Sequence, residues 1–280
     1  MPTRSEFRHV FRKHYALPTE HGSWIWWIGP FVIGAAAAGA FPPALWLLFL
    51  TAFAAFLSRQ PIALLVKVAS GRRPTSDRGP ALFWTVLYGT VVLLGLTGLV
   101  RVGYGRLLLV LAAPAALVFA WHLWLVSRRA ERGQMGVELV GAGVLALTAP
   151  AAYWVAGGPD SSTAWILWLL CWLQSAASIV LVYLRLDQRR WAAVPALAER
   201  WRAGRRTLAY HLFNLVAAAL LAAGHAVPGM VPVAFGLMLA DAIDGILRPS
   251  TGARPTSIGM RQLAASALFV VLVAAAYWTA

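Results

Sequence analysis

Glu20 and His21 stand side by side where the first long apolar stretch of this chain begins, and Arg59 and Gln60 precede Pro61 inside the second. Glu138 opens the fifth stretch, Tyr183 and Arg185 close the sixth, and His211 and Asn214 lie one turn inside the seventh. Asp241 and Asp244 lie near the end of the eighth, with Arg248 just beyond. Groups of this kind inside an apolar span cost about 2.5–3.5 kcal/mol each at mid-membrane, so they turn inward and pair. Glu20, His21, Glu138 and His211 are the candidate acid–base or orienting groups. Arg59, Gln60, Tyr183, Arg185, Asn214, Asp241 and Arg248 are the candidate ligand-binding groups, because guanidinium grips a carboxylate or phosphate through two parallel hydrogen bonds.

Spacing sharpens some of these. His211 and Asn214 are three apart and share a helix face, as do Asp241 and Asp244. Asp244 and Arg248, four apart, can neutralise each other. Asp241 has no such neighbour, which predicts a partner on another helix, Arg59 or Arg185. Pro61 should kink its helix and free backbone carbonyls beside Arg59. Thr19 or Glu20 serves equally well as a helix cap. Gln174, Ser175 and Ser178 are expected to bond other helices or backbone.

Other chemistries lack their residues. The chain has no phosphate-binding Gly-rich loop, no HExxH, no CxxC and no Gly-x-Ser-x-Gly turn. Its six histidines are too dispersed to argue a metal site, so no metal ligand is assigned, and the cofactor is left unknown. Cys171, the single cysteine, lies in an apolar stretch and reads as a small buried hydrophobe.

The elements that must position these residues are membrane helices. The chain is 60% hydrophobic and 12% charged, about half the charge of a soluble domain. Nine apolar stretches are read at 23–40, 43–66, 81–100, 106–126, 135–156, 163–183, 208–224, 228–247 and 262–279, each near the ~17–20 residues a crossing needs. The fold class is therefore all-α, a polytopic membrane bundle of about nine helices. With the N-terminus inside and the C-terminus outside, 22 of the 24 Lys and Arg residues face the cytoplasm, leaving Arg101 and Arg106 for the other side. The net charge of +14 then reports orientation and contact with anionic lipid headgroups. Scattered over five membrane loops, it does not form the single basic face that nucleic acid needs.

Residues 1–22 read as a cytoplasmic basic amphipathic segment and 23–280 as a single bundle. Two inner segments, 5–15 and 191–206, space their apolar residues as helices lying on the membrane with arginines alongside. Gly95, Gly98, Gly133, Gly136, Gly141 and Gly143 should let helices approach closely. Trp24, Trp26 and Trp27 suit the aromatic belt at the membrane interface. All the polar groups fall at cytoplasmic helix ends, which predicts a polar cavity open to the cytoplasm and closed above by apolar packing.

The stretch Leu17-Pro18-Thr19-Glu20-His21-Gly22-Ser23-Trp24, with Pro30 following, resembles the opening P-x-E-H-G-x-W signature of the YwiC-like family of bacterial membrane proteins. Arg59-Gln60-Pro61 and Arg254-Pro255-Thr256-Ser257-Ile258-Gly259 are similar to its later motifs, so the similarity in pattern runs over nearly the whole length. That family carries no assigned activity and implies a place in the bacterial cytoplasmic membrane. In architecture the chain is also similar to the UbiA superfamily of intramembrane prenyltransferases, which hold Mg²⁺ on a prenyl diphosphate through Asp-rich motifs after the second and sixth helices. At those places stand Arg59, Arg72, Arg73, Asp77 and Arg78, and Tyr183, Arg185, Asp187, Arg189 and Arg190. Paired carboxylates for Mg²⁺ are missing there.

The expected function is binding or modification of an amphipathic anionic lipid of prenyl or quinone type. Arg59 and Arg185 would clamp its head, Glu20 or Glu138 would act as acid, base or orienting group, and His211 with Asn214 would contact a second substrate. As an enzyme it would be a UbiA-like transferase. The alternatives are a non-catalytic membrane subunit or assembly factor, whose protein partners the residues do not name, and a small-solute transporter.

Overall fold

The computed structural model describes residues 10–18, 22–130 and 133–280. Glu20, His21 and residues 5–9 of the first amphipathic segment thus lie outside the described residues. The elements are α1 (Lys13–Ala16), α2 (Gly22–Ala38), α3 (Pro43–Ala69), α4 (Arg78–Leu99), α5 (Gly105–Ser127), α6 (Met135–Leu145), α7 (Thr148–Val155), α8 (Ser161–Gln188), α9 (Leu197–Ala223), α10 (Val231–Leu247) and α11 (Pro255–Trp278). No strand occurs among the described residues, and the chain is all-α.

Six segments are long and apolar enough to cross a membrane: Pro43–Ala69, Thr75–Ser127, Met135–Val155, Ser161–Gln188, Leu197–Ala223 and Pro255–Trp278, with Ser23–Ala38 a shorter apolar helix. Large apolar side chains lie exposed along them, among them Leu94, Leu109, Leu117 and Leu220. Water would penalise such faces and lipid does not. The chain is an integral, multi-pass membrane protein. The expected nine crossings are a finer count than these six. Thr75–Ser127 spans 53 residues, about 80 Å if straight, far beyond the ~30 Å of hydrocarbon. Gly103 interrupts it at φ 98°, a backbone conformation that a side chain would strain.

Several helices run further than the apolar stretches that announced them. α8 extends to Gln188, α9 starts at Leu197 and α11 at Pro255. Proline at the first helical position sets the start of α11, where its missing N–H costs nothing. Residues 197–206 are therefore the first turns of α9 and not a separate helix on the membrane surface, and Trp201 packs against Leu181, Leu184, Ala242 and Ile246. α3 continues through Pro61 as one helix. The stretch 135–156 divides instead, between Leu145 and Thr148. Pro150 explains the division, since it lacks an N–H and crowds the carbonyl four residues earlier.

The chain forms two compact units, Met1–His21 with Phe41–Val137, and Gly22–Ala40 with Glu138–Ala280. In the first, α3 and α4 pack closely because Gly95 meets Thr51 and Gly98 meets Leu47. The described part of the N-terminal segment is bonded to them. Tyr15, 1% exposed, donates to Asp77 Oδ1 at 2.7 Å, and Gln60 donates to the His14 carbonyl at 2.8 Å. Trp84 donates to Val10 and Tyr88 to Ala16. Tyr15, read as facing the membrane, faces the protein.

In the second unit the core gathers Ile33, Ala149, Leu167, Ala218, Phe235 and Phe269 from six helices. Backbone meets backbone where Gly34 lies against the Ala149 carbonyl. Trp168 and Trp172 of α8 donate to the carbonyls of Gly143 and Leu139, pinning α6. Gly143 makes the close approach expected of it, whereas Gly133, Gly136 and Gly141 have nothing near them. Trp27, placed in the aromatic belt by sequence, is buried, because α2 turns it inward. Asp160 caps α8, accepting from the hydroxyls and N–H groups of Thr163 and Ser162, which hold its carboxyl well below the ordinary range.

Candidate functional site

Along α8, Gln174, Ser178, Leu181, Arg185 and Gln188 are buried. Their alternating steps of four and three place them on one helical face. A face that is mostly polar inside an apolar bundle must find partners within the protein. Arg185 is 0% exposed, and its Nη2 donates to Asp241 Oδ1 at 2.9 Å and to the Asp241 carbonyl at 3.3 Å. Its Nη1 donates to Gln262 Oε1 at 3.3 Å. Gly245 makes room, since a Cβ there would lie 3.4 Å from the guanidinium. Gln188 donates to the Gly245 carbonyl at 2.9 Å and accepts from the Ser250 N–H at 3.2 Å, fixing the end of α8 on α10.

Asp241 has a second cation. Arg261 reaches its Oδ1 with Nη2 at 2.7 Å and Nε at 3.1 Å, and the same Nη2 reaches Asp244 Oδ2 at 2.6 Å. Arg248 Nε lies 3.5 Å from Asp244 Oδ1. Three guanidinium groups and two carboxylates therefore form one network at the ends of α8, α10 and α11. Asp241 takes Arg185, one of its two expected partners, and Asp244 takes Arg248 as expected. Arg261 and Gln262 were not singled out by sequence, where the last helix seemed to begin at 262. A helix start at Pro255 would have placed both inside it.

The remaining candidates fall elsewhere. Glu138 of α6 accepts from the Tyr183 hydroxyl at 2.9 Å. His211 is buried with Nδ1 2.9 Å from the Thr207 carbonyl, so Nδ1 carries the proton and Nε2 is the acceptor. Asn214, also buried, donates to the Leu173 carbonyl at 2.8 Å. Asn214 thereby ties α9 to α8. Arg59 and Gln60 belong to the first unit, where the Arg59 guanidinium lies 5.5 Å from the Phe56 ring centre.

Among the described residues no group of three or more His, Cys, Asp and Glu is placed to hold a metal ion. Asp77, one of the two carboxylates at the positions where Mg²⁺ ligands were sought, is buried with its oxygens taken by Tyr15 and Arg73. That donor set does not fit a hydrated divalent cation, and no metal-dependent step is derived. The same site holds its tyrosine un-ionised. Burial, then the hydrogen bond and charge of Asp77, push the Tyr15 hydroxyl up to about 12.

Residues 17–153 match the family model described as YwiC-like protein. The match takes in the opening motif and Arg59-Gln60-Pro61 but not the stretch 254–259, so it is narrower than the expected full-length similarity. It ends before α8, which leaves the charged network outside it. No curated protein and no solved structure matches the chain.

Proposed function

We propose that this chain, YwiC-like over residues 17–153, is a protein of the bacterial cytoplasmic membrane, N-terminus inside, that binds an amphipathic anion at the cytoplasmic end of its second unit. One observation carries the reading. The network has an excess of positive charge, and the excess lies on the outside: the Arg248 side chain is 84% exposed, while Arg185 is sealed against Asp241. Arg261, with its side chain 44% exposed, stands beside it. Exposed Leu247 and Met260 adjoin Arg248 and Arg261 in sequence and offer apolar surface for a tail. Arg202, Arg205 and Arg206, also exposed, add to the attraction for anions from the inner loop.

This moves the grip from the pair first considered. Arg185 acts as a strut that positions Asp241, and through it Arg261, while Arg248 and Arg261 meet the ligand. The test is thermal shift and native mass spectrometry with farnesyl diphosphate, and farnesol as the uncharged control. Saturable binding of the diphosphate alone, weakened about tenfold in Arg248→Gln, as expected for one lost charge-assisted bond of about 1.5 kcal/mol, supports the site. Binding unchanged in Arg248→Gln and Arg261→Gln but lost in Arg59→Ala would place the anion in the first unit. Equal binding of farnesol would remove the anion from the proposal.

A further inference from the structure

Arg185 is one end of a longer polar file. Its Nη1 donates to Gln262 Oε1, Gln262 Nε2 donates to Ser178 Oγ at 2.8 Å, and Gln174 Nε2 donates to the same Oγ at 3.3 Å. The file climbs from the charged network at the inner end of α8 to Gln174, midway along its 28 residues, a rise of about 16 Å. Gln174 is 5% exposed, and among the described residues its Oε1 has no donor. A buried amide oxygen is seldom left this way.

The oxygen belongs to a small cavity of about 20 Å³ lined by Trp26, Pro30, Cys171, Gln174, Ser175 and Ser266. Among the described residues that line it, the polar groups of Gln174, Ser175 and Ser266 meet among apolar walls. Beyond it, toward the outer end of α8, come the buried apolar Ala164, Leu167 and Leu170. A cavity holds a water once it offers roughly 10–15 Å³ and two to four polar partners.

We infer that this cavity is a built water site, with water donating to Gln174 Oε1 and exchanging hydrogen bonds with the hydroxyls of Ser175 and Ser266. The polar file is then hydrated at its blind end, and polar contact reaches from the cytoplasmic charges to the middle of the helix bundle. The assignment is independent of anion binding at the network, since it uses other atoms and another ligand.

Cys171 makes the site measurable. It is the only cysteine, it lines the cavity, and it is 3% exposed. Met238, a second sulfur in the same core, is also 3% exposed but does not line the cavity. X-ray radiolysis generates hydroxyl radicals from bound water, so oxidation of the two sulfurs is compared by mass spectrometry on the full-length protein in phosphatidylcholine nanodiscs. The expected result, with each rate divided by that of the same residue in the denaturant-unfolded protein, is Cys171 oxidation severalfold faster than Met238 oxidation, falling toward the Met238 rate in Ser266→Ala and further in Gln174→Leu. Equal rates at the two sulfurs in the unmodified protein would overturn the assignment, and that comparison stands even if Gln174→Leu fails to fold. Fast Cys171 oxidation that neither variant reduces would overturn it as well, because the water would then lie elsewhere.

Discussion

At the scale of single residues, the buried ion pair is the most consequential contact in the molecule. Arg185 has no access to solvent, so its charge depends on Asp241. Asp241→Ala leaves that charge uncompensated and should cost about 3–5 kcal/mol, read as a lower midpoint of thermal unfolding in detergent. Replacing both partners, Arg185→Met with Asp241→Leu, should recover most of the loss, because two apolar groups need no pairing. Tyr15 offers a pH test. Its folded hydroxyl ionises near 12 against about 10 when unfolded. The contribution of its bond to Asp77 is therefore complete below pH 10 and lost as pH rises toward 12. Spectrophotometric titration should show this late-ionising phenol disappear in Tyr15→Phe. Asp241 was legible as needing a partner on another helix because it falls in an apolar stretch, and Arg185 was one of the two candidates. Arg261 was not, since hydropathy cannot tell a loop charge from one in the first turns of a helix.

At the scale of elements, glycines separate tight contacts from open ones. A Cβ on Gly34 would fall 2.1 Å from the Ala149 carbonyl oxygen, a backbone atom that cannot step aside alone. Gly34→Ala should destabilise by about 1–3 kcal/mol. Gly141, inside α6, has nothing within 4 Å; Gly141→Ala should stabilise by about 0.5–1 kcal/mol. A fall in the melting midpoint for the first and a rise for the second would bear both out. The Asp160 cap makes a further claim. Its carboxyl is held low by Thr163 and Ser162, so its support for α8 is present above the ordinary carboxylate range near 4 and is lost as pH falls below it. Asp160→Ala should lower the melting midpoint at pH 7, and the difference should vanish in strong acid. Apolar stretches located the helices but not all of their ends, because α8, α9 and α11 continue into residues where hydropathy falls. The division of 135–156 was likewise hidden, as Pro150 sits in a stretch of unbroken hydropathy.

For the whole molecule, the uneven distribution of arginine makes the orientation testable. The proposed orientation, nine crossings with the N-terminus inside, predicts that alkaline phosphatase fused after Ala280 is active and a fluorescent protein fused there dark. The reverse result would put both the charged network and its proposed ligand on the other side. What could be read in advance here was the fold class, which follows from composition. Division into two units follows from which helices touch, and no local pattern carries that.

That division bears on how the chain is made. α2 emerges from the ribosome early, yet it packs against Ala149 of α7 and Val270 of α11, while α3 to α5 are synthesised in between. At about 5–20 residues per second, α2 waits on the order of tens of seconds for its neighbours. During that interval α3 and α4 can pair as soon as they are released, but the second unit can close only after translation has nearly ended. Chains stopped short of α7 should therefore hold an assembled first unit and an α2 still without its helix partners, a natural target for membrane quality-control proteases.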